Sequence, residues 1–173
     1  MKKMYAKSII LFFLFFSSCF KENIPLSNVR EDYLGDQLRI DGLYYLEPYN
    51  GYISYIQFYY RNGINFQISF SEEITDPANL ASILTKEKIE SHRKRKYNWG
   101  IFKIKGNEFL SERWQTPEQG NYFATTTWTG NILSDTSFIV TKIDYSKGVS
   151  EGRAIWHFYP FSPKPDSTNV FIK

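Results

Sequence analysis

Few side chains here could do covalent or metal chemistry. The 173 residues hold one thiol, Cys19, and two imidazoles, His92 and His157. Two histidines cannot make a three-histidine zinc site, and a lone cysteine can neither form an intrachain disulfide nor build a thiolate cluster. No Gly-x-Ser-x-Gly elbow, His-Glu-x-x-His pair or phosphate-binding loop occurs. Ser91-His92-Arg93-Lys94 fits Ser-x-x-Lys, but it falls at a predicted helix end, in a cationic run and without companion motifs. His157 reads as one step of an in/out strand alternation. Glu72 and Glu73 are adjacent, so an extended chain points them to opposite faces. The expectation is a non-enzyme with no catalytic residues, no metal and no cofactor.

Cys19 has the most informative setting. Lys2, Lys3 and Lys7 precede an apolar run, IILFFLFF over residues 9–16, and Ser17-Ser18 lead to the cysteine. Eight apolar residues are too few to span a bilayer as a helix, which takes about 20, but suit a secretory signal core. This arrangement resembles a bacterial lipoprotein signal of the Bacteroidetes type. Phe16, three positions before the cysteine, departs from the usual aliphatic residue. The resemblance implies cleavage after residue 18, a diacylglyceryl group on Cys19 that incorporates palmitate, and a place in the bacterial envelope, at the outer membrane. Two acyl chains anchor stably where one does not. Removing the signal takes away three lysines and no acid. The charge of +3, from 21 basic and 18 acidic residues, then becomes 18 against 18. A neutral chain lacks the phosphate-neutralising surplus of a nucleic-acid binder.

The chain divides into a signal at residues 1–18, a lipidated N-terminus and flexible tether at 19–36, and one domain at 37–173. In the domain, LRIDGLYYLE and YISYIQFYYR read as strands. Asn62-Gly63 is the pair favoured in a two-residue type I′ hairpin turn. INFQISF alternates, with Ile64, Phe66, Ile68 and Phe70 on one side and Asn65, Gln67 and Ser69 on the other. One helix follows, capped by Thr75 or Asp76, with Pro77 in its first turn and a basic end at residues 92–96. Five more strands are placed near 98–105, 108–116, 121–132, 136–144 and 151–160. Eight strands with short sequential connections favour a closed up-and-down antiparallel barrel over a two-sheet sandwich.

The strand order is similar to lipocalin and calycin barrels, with Gly42-Leu43-Tyr44 where lipocalins carry Gly-x-Trp. DGLYY, NWGIFKI, DTSFIVT and FSPKPDSTNVFIK resemble small Bacteroidetes lipoproteins, which implies a fold and a compartment but brings no activity.

The mature chain keeps 27 of 32 aromatic residues. Either they fill a small barrel or they line a site for an apolar or amphipathic ligand, for which Tyr44, Phe58, Phe66, Trp99, Trp128 and Trp156 are the candidates. Two roles follow. One is a membrane-anchored carrier of a small ligand; the other is a filled barrel that docks onto an envelope protein complex. The basic run at 92–96 is either a solvated helix end or a contact for anionic headgroups.

Overall fold

A computed structural model describes residues 24–48, 50–116, 124–145 and 147–173. The strands lie where aromatic and β-branched residues alternate. They are β1 (Gly42–Leu46), β2 (Tyr55–Tyr59), β3 (Ile64–Ser69), β4 (Trp99–Lys105), β5 (Glu108–Trp114), β6 (Thr125–Ser134), β7 (Ser137–Tyr145) and β8 (Gly148–Pro160). Each pairs antiparallel with the next, and β8 returns to β1, with Tyr44 opposite Phe158. The result is a closed, lipocalin-like up-and-down barrel, in which closure removes exposed strand edges.

Two apolar clusters flank the wall. The inner one holds Tyr44, Tyr59, Phe102, Phe109, Phe138 and Trp156. Phe109 and Phe138 stack at 4.4 Å, and Tyr59 meets Phe102 edge-on at 4.8 Å. The outer cluster lies over β2–β4 and takes in Ile56, Phe58, Ile64, Phe66, Ile68 and Trp99. The alternation of β3 is therefore inverted relative to a simple barrel: its apolar side faces out under other elements, and Asn65 and Gln67 share the inner face. Their burial is offset by hydrogen bonds. Gln57 Nε2 donates to Gln67 Oε1 at 3.0 Å, the Tyr59 hydroxyl donates to Gln57 Oε1, and Asn65 Nδ2 donates to Ser111 Oγ.

Between β3 and β4 the expected helix comes as short pieces. A 3-10 turn at Pro77–Asn79 is capped by Asp76, which accepts from the Ala78 N–H; α1 (Leu80–Ile83) follows. Leu84 leaves helical geometry, and Thr85 caps α2 (Lys86–Arg93) by accepting from the Lys88 N–H. Leu80, Leu84 and Ile89 pack on the outer cluster.

The β2–β3 turn differs from the expected type I′ pair. Only Gly63, at φ 72°, has positive φ there, and Asn62 does not. The Gly63 N–H bonds the Tyr60 carbonyl and the Tyr60 N–H bonds the Ile64 carbonyl, which makes a three-residue loop with glycine in the left-handed position. A Cβ on Gly63 would lie 1.9 Å from the Glu31 carbonyl oxygen, because the N-terminal segment runs over this turn.

That segment is bonded to the barrel from Ile24 onward, although the sequence assigns residues up to 36 to a tether. It descends the β4–β5 wall and crosses the closed end, where Tyr33 and Leu38 join the inner cluster. Bonds along the way run from Lys103 to Glu31 at 2.5 Å and from the Tyr33 N–H to the Arg61 carbonyl at 2.7 Å. Weak periodicity hid the attachment, because its contacts are polar and distant in sequence.

Gly130 sits at a register shift in β6. A Cβ there would meet the Ile139 carbonyl oxygen at 1.8 Å. Gly130→Ala should therefore lower stability by about 2–3 kcal/mol in urea unfolding; an unchanged midpoint would contradict the close approach.

The C-terminal tail packs Phe161, Phe171 and Ile172 on the outer cluster. Tyr44 lies opposite Gln57 and Tyr45 opposite Ile56, but β1 and β2 part beyond these pairs. The Lys164 ammonium lies in the gap and donates to the carbonyls of Ile40 and Tyr59, 4.3 Å from the Tyr60 ring. Burial pulls its pKa from 10.5 down to about 8. Between these values the folded chain has released a proton that the unfolded chain keeps, so stability rises with pH across that window. Burial raises the pKa values of Tyr44, Tyr59 and Tyr60, which acts in the opposite sense above pH 10. From pH 8 to 10 the natural chain should gain about 2 kcal/mol relative to Lys164→Met. Parallel urea midpoints for the two chains would contradict this.

Candidate functional site: a cavity in the barrel mouth

The two ends of the barrel differ because the inner residues differ. At one end aromatic rings, Tyr33 and Leu38 fill the interior. At the other, the inward positions of β2, β3, β5 and β6 carry Tyr55, Gln67, Ser69, Arg113 and Thr126, which do not close on one another. They leave a cavity of about 930 Å³. Its apolar wall is Leu46, Trp128, Val140, Ile143, Ala154 and Trp156, and Tyr145 stands at the rim. The volume is in the range of sites that take small organic molecules.

Arg113 is a charged group inside, and Lys147 is a second cation in the lining. Its guanidinium carbon lies 3.9 Å from the centre of the Trp128 ring. Nη1 is buried with no hydrogen-bond partner, and among the described residues no carboxylate pairs with Arg113. Burial lowers its pKa to about 10, so it stays a cation at neutral pH. Trp128 and Trp156 lie 5.8 Å apart, and Trp156 stacks on Phe138. Trp156 is 1% exposed, and its Nε1 is a second buried donor without a partner. Arg113 and Trp156 both line the cavity, and each carries a buried donor with no partner among the described residues, although natural interiors satisfy nearly all such groups.

Four bonds fix the strand that carries Arg113. The neighbouring Glu112 faces outward and is fully buried. Its Oε1 accepts from the Ser27 N–H and hydroxyl, both at 2.8 Å; Oε2 accepts from the Asn28 N–H at 2.8 Å and from Asn28 Nδ2 at 2.9 Å. Gly100, opposite Arg113, gives the side chain room: a Cβ there would lie 2.7 Å from the Arg113 Cβ.

Of the six aromatic residues expected to meet a ligand, Trp128 and Trp156 line the cavity. Tyr44 lies in the packed inner cluster, its hydroxyl donating to the carbonyls of Arg39 and Asp135. Phe58, Phe66 and Trp99 lie in the outer cluster; Phe66 stacks on Trp99 at 4.6 Å, and Trp99 Nε1 donates to the Arg93 carbonyl. Cys19 is outside the described residues. Sequence reasoning passed over Arg113 and Gln67. The available signal was Phe109-x-Ser111-x-Arg113, where the inner face of a strand turns from apolar to cationic along its length.

His157 lies 3.9 Å from Glu47 and beside the Tyr45 ring. His92 is buried, its Nδ1 3.1 Å from Asn98 Nδ2, and burial lowers its pKa. Among the described residues no cluster of His, Asp and Glu could hold a metal ion, and no helix is long and apolar enough to cross a membrane. Comparison with known protein families, with curated proteins and with solved structures finds no match.

Proposed function

We propose that this protein is a bacterial envelope lipoprotein, anchored through Cys19, whose barrel binds one small amphipathic ligand. The ligand's anionic or acceptor end meets Arg113, and its apolar body lies along Trp128, Val140, Ile143 and Trp156. The observation that carries the reading is a cavity lined by Arg113 and Trp156, each with a buried donor that has no partner among the described residues, Arg113 being a cation that no described carboxylate pairs. A charge-assisted bond in a partly desolvated site is roughly twice as strong as a neutral one. A filled barrel that served only to dock would have no use for the cavity. No step of bond-making is assigned to it.

Trp128 and Trp156 supply an internal probe. Titration with dodecanoate should shift tryptophan emission saturably at one equivalent, and dodecanol should bind more weakly. A flat titration with both would overturn the carrier reading.

A further inference from the structure

We propose that the mouth of the barrel faces and touches the lipid leaflet that holds the anchor, so that the ligand enters from anionic phospholipid. This rests on the reading of Cys19 as the acylated residue. The first described residue fixes the geometry. The Ile24 carbonyl accepts from Trp114 Nε1 at 2.9 Å, and Trp114 ends β5 at the cavity. Cys19 precedes Ile24 by five residues, which reach at most about 17 Å when fully extended. The attachment therefore lies at the open end, and the closed end is turned away from the anchor by the length of the barrel.

The rim has the chemistry of a headgroup contact. The Lys96 ammonium lies 4.3 Å from the Trp114 ring, and next to it Lys94 and Arg95 are exposed. Tyr52, Tyr55, Tyr145 and Val149 are exposed large residues at or beside the mouth ends of β2, β7 and β8. Tyrosine suits the boundary between lipid and water, and basic side chains are drawn to anionic leaflets. Exposed acids stand there too: Glu47 by β1 and Glu151 on β8, three to four strands round the barrel from the β4–β5 cations, and Glu72 and Glu73 just beyond β3, with Glu72 paired to Lys88. The closed end carries the exposed acids Asp41, Glu108 and Asp135, with Arg39 paired to Asp41 and Lys105 opposite Glu108.

The test uses the full chain, purified from membranes and reconstituted in vesicles of phosphatidylethanolamine and phosphatidylglycerol. Val149→Cys marks the mouth and Leu133→Cys the closed end; the parent residues are 58% and 55% exposed. An environment-sensitive dye on each thiol is quenched by a headgroup-linked quencher, and the N-terminal peptide is weighed. An acylated peptide with quenching at least threefold greater at position 149 supports the proposal. Lys94→Gln with Arg95→Gln should reduce that difference. An acylated peptide with equal quenching, or with more at position 133, overturns the orientation and leaves the anchor standing; the mouth would then be free for a protein partner. An unmodified Cys19 thiol overturns the anchor and the orientation together.

Discussion

Arg113→Met should weaken dodecanoate binding by about 30- to 300-fold and leave dodecanol binding within about threefold of the natural chain. The expectation follows from the charge. Arg113 is a cation in the cavity with an unbonded Nη1 and, among the described residues, no carboxylate partner. Losing a buried charge-assisted contact costs about 2 kcal/mol or more, and about 2–3.4 kcal/mol gives this range of affinities. A methionine keeps an aliphatic stem and removes the desolvated charge, together with the guanidinium stacked on Trp128. The same variant should therefore be more stable than the natural chain, by about 1–2 kcal/mol. Opposed effects on binding and stability are the mark of a residue retained for function. Equal weakening of both probes, or a fall in stability, would make Arg113 a structural residue. Tryptophan titration and urea unfolding of the same preparations check both.

Glu112→Ala should lower stability by about 3–4 kcal/mol. The carboxylate is fully buried and accepts four hydrogen bonds from Ser27 and Asn28, two from backbone N–H groups and two from side chains. Net contributions of bonds to a charged group are about 1.5–3 kcal/mol each and do not add fully. Glu112→Gln keeps one oxygen and should lose about half as much. Both changes should also speed amide hydrogen exchange over residues 24–32, since these bonds hold the N-terminal segment to β5. A lower urea midpoint with unchanged exchange there would confine the effect to the barrel. If Cys19 is the anchor, as proposed, the segment also sets how near to it the mouth lies, and Glu112→Ala should reduce the difference in quenching between positions 149 and 133.

The barrel was legible because its signals are local. Eight runs of strand formers and short turns specify a meander, and antiparallel neighbours need only two- to five-residue connections. Side-chain alternation could be read for β3, but not which face turned inward. That choice depends on the two short helices and the tail from Phe161 to Ile172 covering Ile64, Phe66 and Ile68, contacts more distant than any periodicity registers. The same blindness split the aromatic candidates. Trp128 and Trp99 look alike on their strands, yet one lines the cavity and the other lies beneath the helices. Arg113 stands between Glu112 and Trp114, where a basic residue reads as an ordinary partner for its acidic neighbour. In the fold Glu112 faces out and bonds the N-terminal segment, and Arg113 faces in, where no described carboxylate pairs with it. The turn at Asn62-Gly63 is a smaller case: the glycine requirement was visible, but the loop length depends on the pairing of Tyr59 with Asn65.

Native mass spectrometry of the chain purified from the cells that make it, gently desorbed and then denatured, tests the carrier proposal most directly. The account predicts one bound amphiphile per chain with an acidic or strongly accepting end, released on unfolding and absent from Arg113→Met. A bare polypeptide mass from every preparation, with no uptake of dodecanoate or dodecanol, would contradict it.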